Sequence, residues 1–101
     1  MPLTNERKKH LRNVGHGLKP VVTIAGKGLS EGVCAELERA LTDHELIKVK
    51  LAVEDRDQRK DIGAEIATQF KADIVQTIGK IFLLYRPAAK PKAKLSNLQR
   101  Y

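Results

Sequence analysis

The chain has 101 residues, 42% of them hydrophobic, which is enough to enclose one core and too few for a second domain. Nineteen Lys and Arg against twelve Asp and Glu leave a net charge of +7, a balance that favours a polyanionic partner. No apolar run approaches the roughly 18 residues of a membrane helix, no leader-like segment opens the chain, and a lone Cys34 can neither pair internally nor build a metal cluster, so a reducing, cytosolic setting without membrane contact is expected.

Thr4 or Asn5 is suited to cap a first helix whose apolar residues Leu11, Val14 and Leu18 follow helical spacing, with Gly15 and Gly17 as its stop. Val21-Val22-Thr23-Ile24 is a β-branched run of strand length. Ser30 is placed to cap a second helix with Val33, Leu37, Ala40 and Leu41 on its buried stripe, ending near Asp43-His44. Leu46 to Ala52 alternates, with Ile47, Val49 and Leu51 on one face and Lys48 and Lys50 on the other. Asp55 or Asp57 opens a third helix carrying Ile62, Ile66 and Phe70, in which Gly63 is expected to cost about 1 kcal/mol relative to Ala. Ile74 to Ile78 and Ile81 to Tyr85 flank Gly79-Lys80, a pair that suits a type II′ hairpin turn.

The order α-β-α-β-α-β-β predicts an α/β domain with a four-stranded mixed sheet, in which two right-handed strand-helix-strand units give parallel neighbours and a hairpin follows. Residues 1–87 read as the domain and residues 88–101 as a mobile basic tail. Charge is unevenly spread. Residues 1–20 carry Arg7, Lys8, Lys9, Arg12 and Lys19 against Glu6, and residues 86–101 carry Arg86, Lys90, Lys92, Lys94 and Arg100 against no acid. The middle of the chain is acidic on balance.

The loop Ala25-Gly26-Lys27-Gly28 joins a strand to a helix, and its glycines let a ligand approach the backbone. The free amides of the next helix turn, with Lys27 as a point charge, form a candidate phosphate site. A flexible turn with an exposed lysine accounts for the same residues. Three catalytic or nucleotide patterns come close to this loop. Gly28-Leu29-Ser30-Glu31-Gly32 satisfies G-x-S-x-G, but Ser30 is placed as a helix cap and His44 directly follows Asp43, so a serine hydrolase is disfavoured. A P-loop fails because Gly28 and Ile81 stand where Ser or Thr is required after Gly-Lys; the dinucleotide fingerprint nearly fits, with Glu54 where a ribose-binding acid would lie, but Gly32 falls one residue late and the chain is too short for the usual double-wound sheet. His10, His16 and His44 show no metal spacing, and no metal or cofactor is expected. Phe82 and Tyr85 differ in strand parity and so cannot form a base-stacking platform.

Leu18-Lys19-Pro20-Val21-Val22, the Gly26 to Val33 stretch, His44 to Lys50, Ile78-Gly79-Lys80 and Leu84-Tyr85-Arg86-Pro87 together resemble the bacterial YhbY-type proteins, the stand-alone form of the CRM domain of chloroplast RNA splicing and ribosome maturation. The resemblance runs in order from about Leu11 to Pro87. It implies an RNA-binding α/β fold related to the C-terminal domain of bacterial translation initiation factor three, and association with precursors of the large ribosomal subunit. The family's strand-to-helix loop has a G-x-x-G pattern likened to the RNA clamp of KH domains. Here Ala25 stands at its first glycine, a change that is unfavourable if that position takes a positive φ, unless Gly26 shifts the turn by one residue.

The expectation is therefore a monomeric, non-enzymatic assembly factor that binds ribosomal RNA or its precursor, with no small-molecule substrate. Gly26, Lys27, Gly28 and Ser30 would hold a backbone phosphate, and Lys8, Lys9, Arg12, Lys19, Lys48, Lys50, Lys80 and Arg86 would extend the positive surface. A protein-binding adaptor on the ribosome is the alternative class.

Overall fold

The computed structural model of the protein describes residues 3–26, 28–92 and 95–98. Its elements are α1 (Asn5–Gly15), β1 (Pro20–Ile24), α2 (Glu31–His44), β2 (Leu46–Leu51), α3 (Arg56–Phe70), β3 (Asp73–Ile78) and β4 (Ile81–Tyr85). Each helix begins at a polar cap that occupies an otherwise unpaired amide. Thr4 Oγ1 accepts from Arg7 N at 3.1 Å, Ser30 Oγ from Val33 N at 3.2 Å, and Asp55 Oδ1 from Asp57 N at 2.9 Å. The β3–β4 turn has Gly79 at φ 56° and no positive φ at Lys80, the sign pattern of a type II′ turn.

The four strands lie in the order β1-β2-β4-β3. β1 and β2 are parallel, whereas β4 runs antiparallel to both β2 and β3. The first strand-helix-strand unit thus gives parallel neighbours as expected, but the second does not: α3 carries β3 to the far edge and β4 inserts between β2 and β3. Side-chain chemistry explains the order. Phe82, Leu83, Leu84 and Tyr85 are buried on both faces of β4 and suit a central strand, while Asp73 and Thr77 of β3 are exposed and suit an edge.

Two cores form on opposite faces of the sheet. On one, α2 and α3 enclose Ile24, Leu37, Leu41, Ile47, Val49, Leu51, Ile66, Phe82 and Leu84. On the other, α1 covers Leu46, Val75, Leu83 and Tyr85 through Leu11. Two glycines set the helix approach. A Cβ on Gly15 would lie 2.7 Å from the Leu83 methyls, and one on Gly63 would run into the Phe82 ring. Gly63 is therefore a packing requirement of α3 on β4 and not simply a helix weakness.

The α2–β2 junction was invisible in the sequence. Glu45 takes φ 63°, an uncommon conformation for a side chain with a Cβ, and its carboxylate is buried. Ser96 Oγ donates to it at 2.8 Å and Ala88 N at 3.1 Å, while Asn97 Nδ2 donates to Leu46 O at 2.6 Å. Part of the stretch expected to be a mobile tail is seated on the domain: Ser96 is fully buried and donates to Glu45, Leu98 N donates to Ser96 Oγ at 3.2 Å, and Leu98 packs on the α1-side core. Lys94 and Arg100 lie outside the described residues.

Candidate nucleic-acid interface

Three connections meet at one end of the sheet. Ala52 N donates to Ile24 O and Leu51 N to Lys80 O, each at 2.7 Å, so the loop after β1, the segment after β2 and the β3–β4 turn are neighbours. In the first of these, Gly28 N closes a turn onto Ala25 O at 3.0 Å. Gly28 has φ 72°, while Ala25 and Gly26 keep negative values. The left-handed position thus falls on a glycine, and Ala25 carries no backbone strain. Among the described residues, and chain neighbours aside, no heavy atom lies within 4 Å of where a Cβ on Gly26 or Gly28 would sit, so the loop backbone is open to a ligand. Lys27, expected to contribute the point charge here, lies outside the described residues.

Ser30 is exposed and its hydroxyl oxygen is occupied by the Val33 amide. His44, the base that a hydrolase would need, is the last residue of α2 and bonds Leu95 O through Nδ1 at 2.7 Å. Ser30 caps the other end of this 14-residue helix, about 20 Å away. The two groups of the hydrolase pattern are not brought together.

The expected cations fall mostly on one side of the sheet. Lys48 pairs with Leu83 and Lys50 with Ile81, which places both on the face that α1 packs against. α1 itself carries Arg7, Lys8, Lys9 and Arg12 with Glu6 as its only acid, and Lys19 follows on the way to β1. Lys8, Arg12 and Lys48 are half-buried, so their stems lie along apolar surface with their charges outward, whereas Lys9, Lys19 and Lys50 are exposed. Beyond the reach of α1 this face is uncovered: Val21 and Ile78 are 51% and 62% exposed. A shallow groove of about 160 Å³ runs there between Lys48, Gln76, Ile78 and Ile81.

Two expected contact residues are otherwise engaged. Arg86 donates to both oxygens of Glu38, to Thr42 Oγ1 at 2.9 Å and to Phe70 O at 3.3 Å, and its side chain is only 19% exposed. Its guanidinium ties α2 to the end of α3, so Arg86 is engaged within the protein and not free toward a ligand. This hydrogen bond holds the Glu38 carboxyl below the usual carboxylate range. Lys80 bonds Glu54 at 2.5 Å and lowers that carboxyl in the same way. Glu54 is almost fully exposed, so Lys80 can exchange this partner for another anion at little cost.

The same end of the molecule holds a feature that the charge pattern did not reveal. A cavity of about 810 Å³ lies between α3 and the β3–β4 hairpin, with Arg56, Arg59 and Lys60 on the helix side and Thr77 and Gly79 on the hairpin side. Arg59 Nη1 donates to Val53 O at 2.7 Å and Glu54 O at 2.8 Å, which fixes the segment after β2. Among the described residues Arg56 and Lys60 form no ion pair. A sequence signal did exist: three cations crowd the first turns of a helix, where the dipole disfavours them.

The profile of the CRS1 / YhbY (CRM) domain matches residues 3–86. The chain is 54% identical over 101 residues to a protein of Pseudomonas aeruginosa named a probable RNA-binding protein, spanning 100% of this chain and 97% of the other. It is 48% identical over 93 residues to an RNA-binding protein of Haemophilus influenzae, spanning 92% and 94%. The solution structure of a Staphylococcus aureus protein, described as a candidate RNA binder, superposes with a TM-score of 0.78 at 27% identity, covering 90% of this chain and 95% of that one.

Proposed function

The chain belongs to the CRS1 / YhbY (CRM) domain family, and from that premise we propose that it binds RNA through phosphate contacts, with structured ribosomal RNA or its precursor as the ligand. The observation that carries this reading is the gathering of Lys8, Lys9, Arg12, Lys48 and Lys50 on the α1 side of the sheet, where Lys50 pairs with Thr23 two residues before the loop that is open at Gly26. Cations spaced over a helix and the strand face beneath it can follow a phosphate backbone without reading base edges. Ser30 and the following amides present the positive end of α2 to the same ligand, and Lys19 and Lys80 extend the surface at its margins.

Such a protein performs no chemistry of its own. It acts in the cytosol on precursors of the large ribosomal subunit, holding an RNA segment in place during assembly. Its relatives' names support the ligand class, and the family resemblance supports the particle.

Filter binding of ribosomal RNA fragments across a salt series tests the reading. About four phosphate contacts give a log-log slope of about −3. An affinity indifferent to salt, or no binding at all, rules it out. Crosslinking in cells with sequencing of the attached RNA tests the assignment to large-subunit precursors, which fails if the recovered RNA is not ribosomal.

A further inference from the structure

We propose that the cavity between α3 and the β3–β4 hairpin receives one unpaired nucleotide of the bound RNA, its base against the apolar floor and its phosphate between Arg56 and Lys60. This rests on the RNA-binding reading above and assigns a second contact point, away from the α1-side surface.

The volume of about 810 Å³ lies in the range of small-ligand pockets, about 300–1,000 Å³. Arg56, Lys60 and Ala64 recur every four residues and line one stripe of α3 facing the hairpin. Two cations then stand a helical turn apart at the rim, with the small Ala64 leaving room below them. Ile74 and Phe82 supply apolar floor, and Asp57 is the one acid on the wall. Cationic rim and apolar floor together match a nucleotide, which presents a phosphate at one end and a flat apolar face at the other; an acidic peptide would satisfy only the rim.

The placement of the cations is the independent observation. Arg56 and Arg59 sit in the first turn of α3, where each opposes the dipole, and Lys60 follows directly after it. Asp55 and Asp57 offset part of that cost but form no ion pair with Arg56 or Lys60 among the described residues. An anion in the cavity relieves it. Helix and hairpin bound the cavity on two sides, which favours a nucleotide free of its complement over a paired base.

Fluorescence anisotropy with a labelled RNA duplex, and with the same duplex carrying a single bulged adenosine, tests this. The wild-type protein is expected to bind the bulged duplex about tenfold more tightly. Ala64→Phe, which fills the cavity from an exposed position, and the double variant Arg56→Ala/Lys60→Ala should each abolish that ratio. Lys50→Ala should weaken both complexes equally and leave the ratio intact. Thermal melts confirm that the variants fold, and either cavity variant alone decides the matter. Equal wild-type affinity for the two RNAs, or a ratio unchanged by the cavity variants, overturns the proposal while RNA binding stands. Failure to bind either RNA overturns both.

Discussion

The two faces of the sheet solve different problems. Beneath α2 and α3 the core is closed: Ile24, Leu37, Leu41, Leu51, Ile66 and Leu84 have no solvent exposure, a charged network of Arg86, Glu38 and Thr42 seals one end, and the surface opens only at the cavity beside α3. Beneath α1 only half the face is covered, and the remainder leaves Val21 and Ile78 in solvent beside Lys48 and Lys50. One face is given mainly to holding the fold together and opens only at the cavity beside α3, whereas the other leaves cations and apolar side chains in solvent. The contrast teaches that cations alone do not mark an interface. Arg86 and Lys50 carry the same charge, yet one is surrounded by acceptors and the other by water.

The comparison can be broken most forcefully from the closed side. Leu84→Ala should destabilise by about 2–5 kcal/mol, read from denaturant unfolding, since its neighbours leave little room for collapse. Next comes the glycine pair. Gly63→Ala forces the Phe82 ring to move within a full core and should cost about 1–3 kcal/mol, while Gly15→Ala meets only the mobile methyls of Leu83 and should cost less. Equal losses at the two positions would show that the two helices are seated with equal tightness.

A charge reversal on each face sharpens the functional half of the contrast. Lys50→Glu and exposed Arg39→Glu on α2 change the net charge equally, but the first should weaken RNA binding by about tenfold and flatten the salt slope, and the second should do much less. Similar losses would mean that only the overall charge matters.

The smallest effect is acid sensitivity. Glu38, Asp43 and Glu54 are each held below the ordinary carboxylate range, chiefly by hydrogen bonds from Arg86, Lys92 and Lys80 respectively. A depressed folded-state value stabilises the protein at neutral pH, and that contribution is lost as pH falls through the lowered value. All three pairs are at least partly solvent-exposed and weak. Thermal melts should therefore show a modest fall in Tm in acid, part of which Glu38→Gln removes.

Most of the elements were legible because their signals are local. Caps at Thr4, Ser30 and Asp55, the alternation through Lys48 and Lys50, and the Gly79-Lys80 turn each depend on residues a few positions apart. The position of β4 was not legible, since strand order depends on competition among all apolar faces. Nor was the role of Glu45, whose buried carboxylate is satisfied by donors more than forty positions away in the chain. Gly63 reads as a helix penalty until Phe82 is seen beneath it. For the proposed interface, the charge pattern singled out the basic N-terminal stretch with Lys48 and Lys50, but it could not separate Arg86 from the unpaired lysines or show that Arg56 and Lys60 border a cavity.

The central place of β4 has a consequence for how the chain matures. It is the last strand in sequence, yet it is the one that pairs with both β2 and β3. During synthesis, β2 and β3 must wait with unsatisfied edges until Tyr85 has cleared the ribosomal exit tunnel. Partly made chains cannot complete the sheet, and the closing step joins segments far apart in sequence, the kind of contact that slows folding and exposes strands to aggregation.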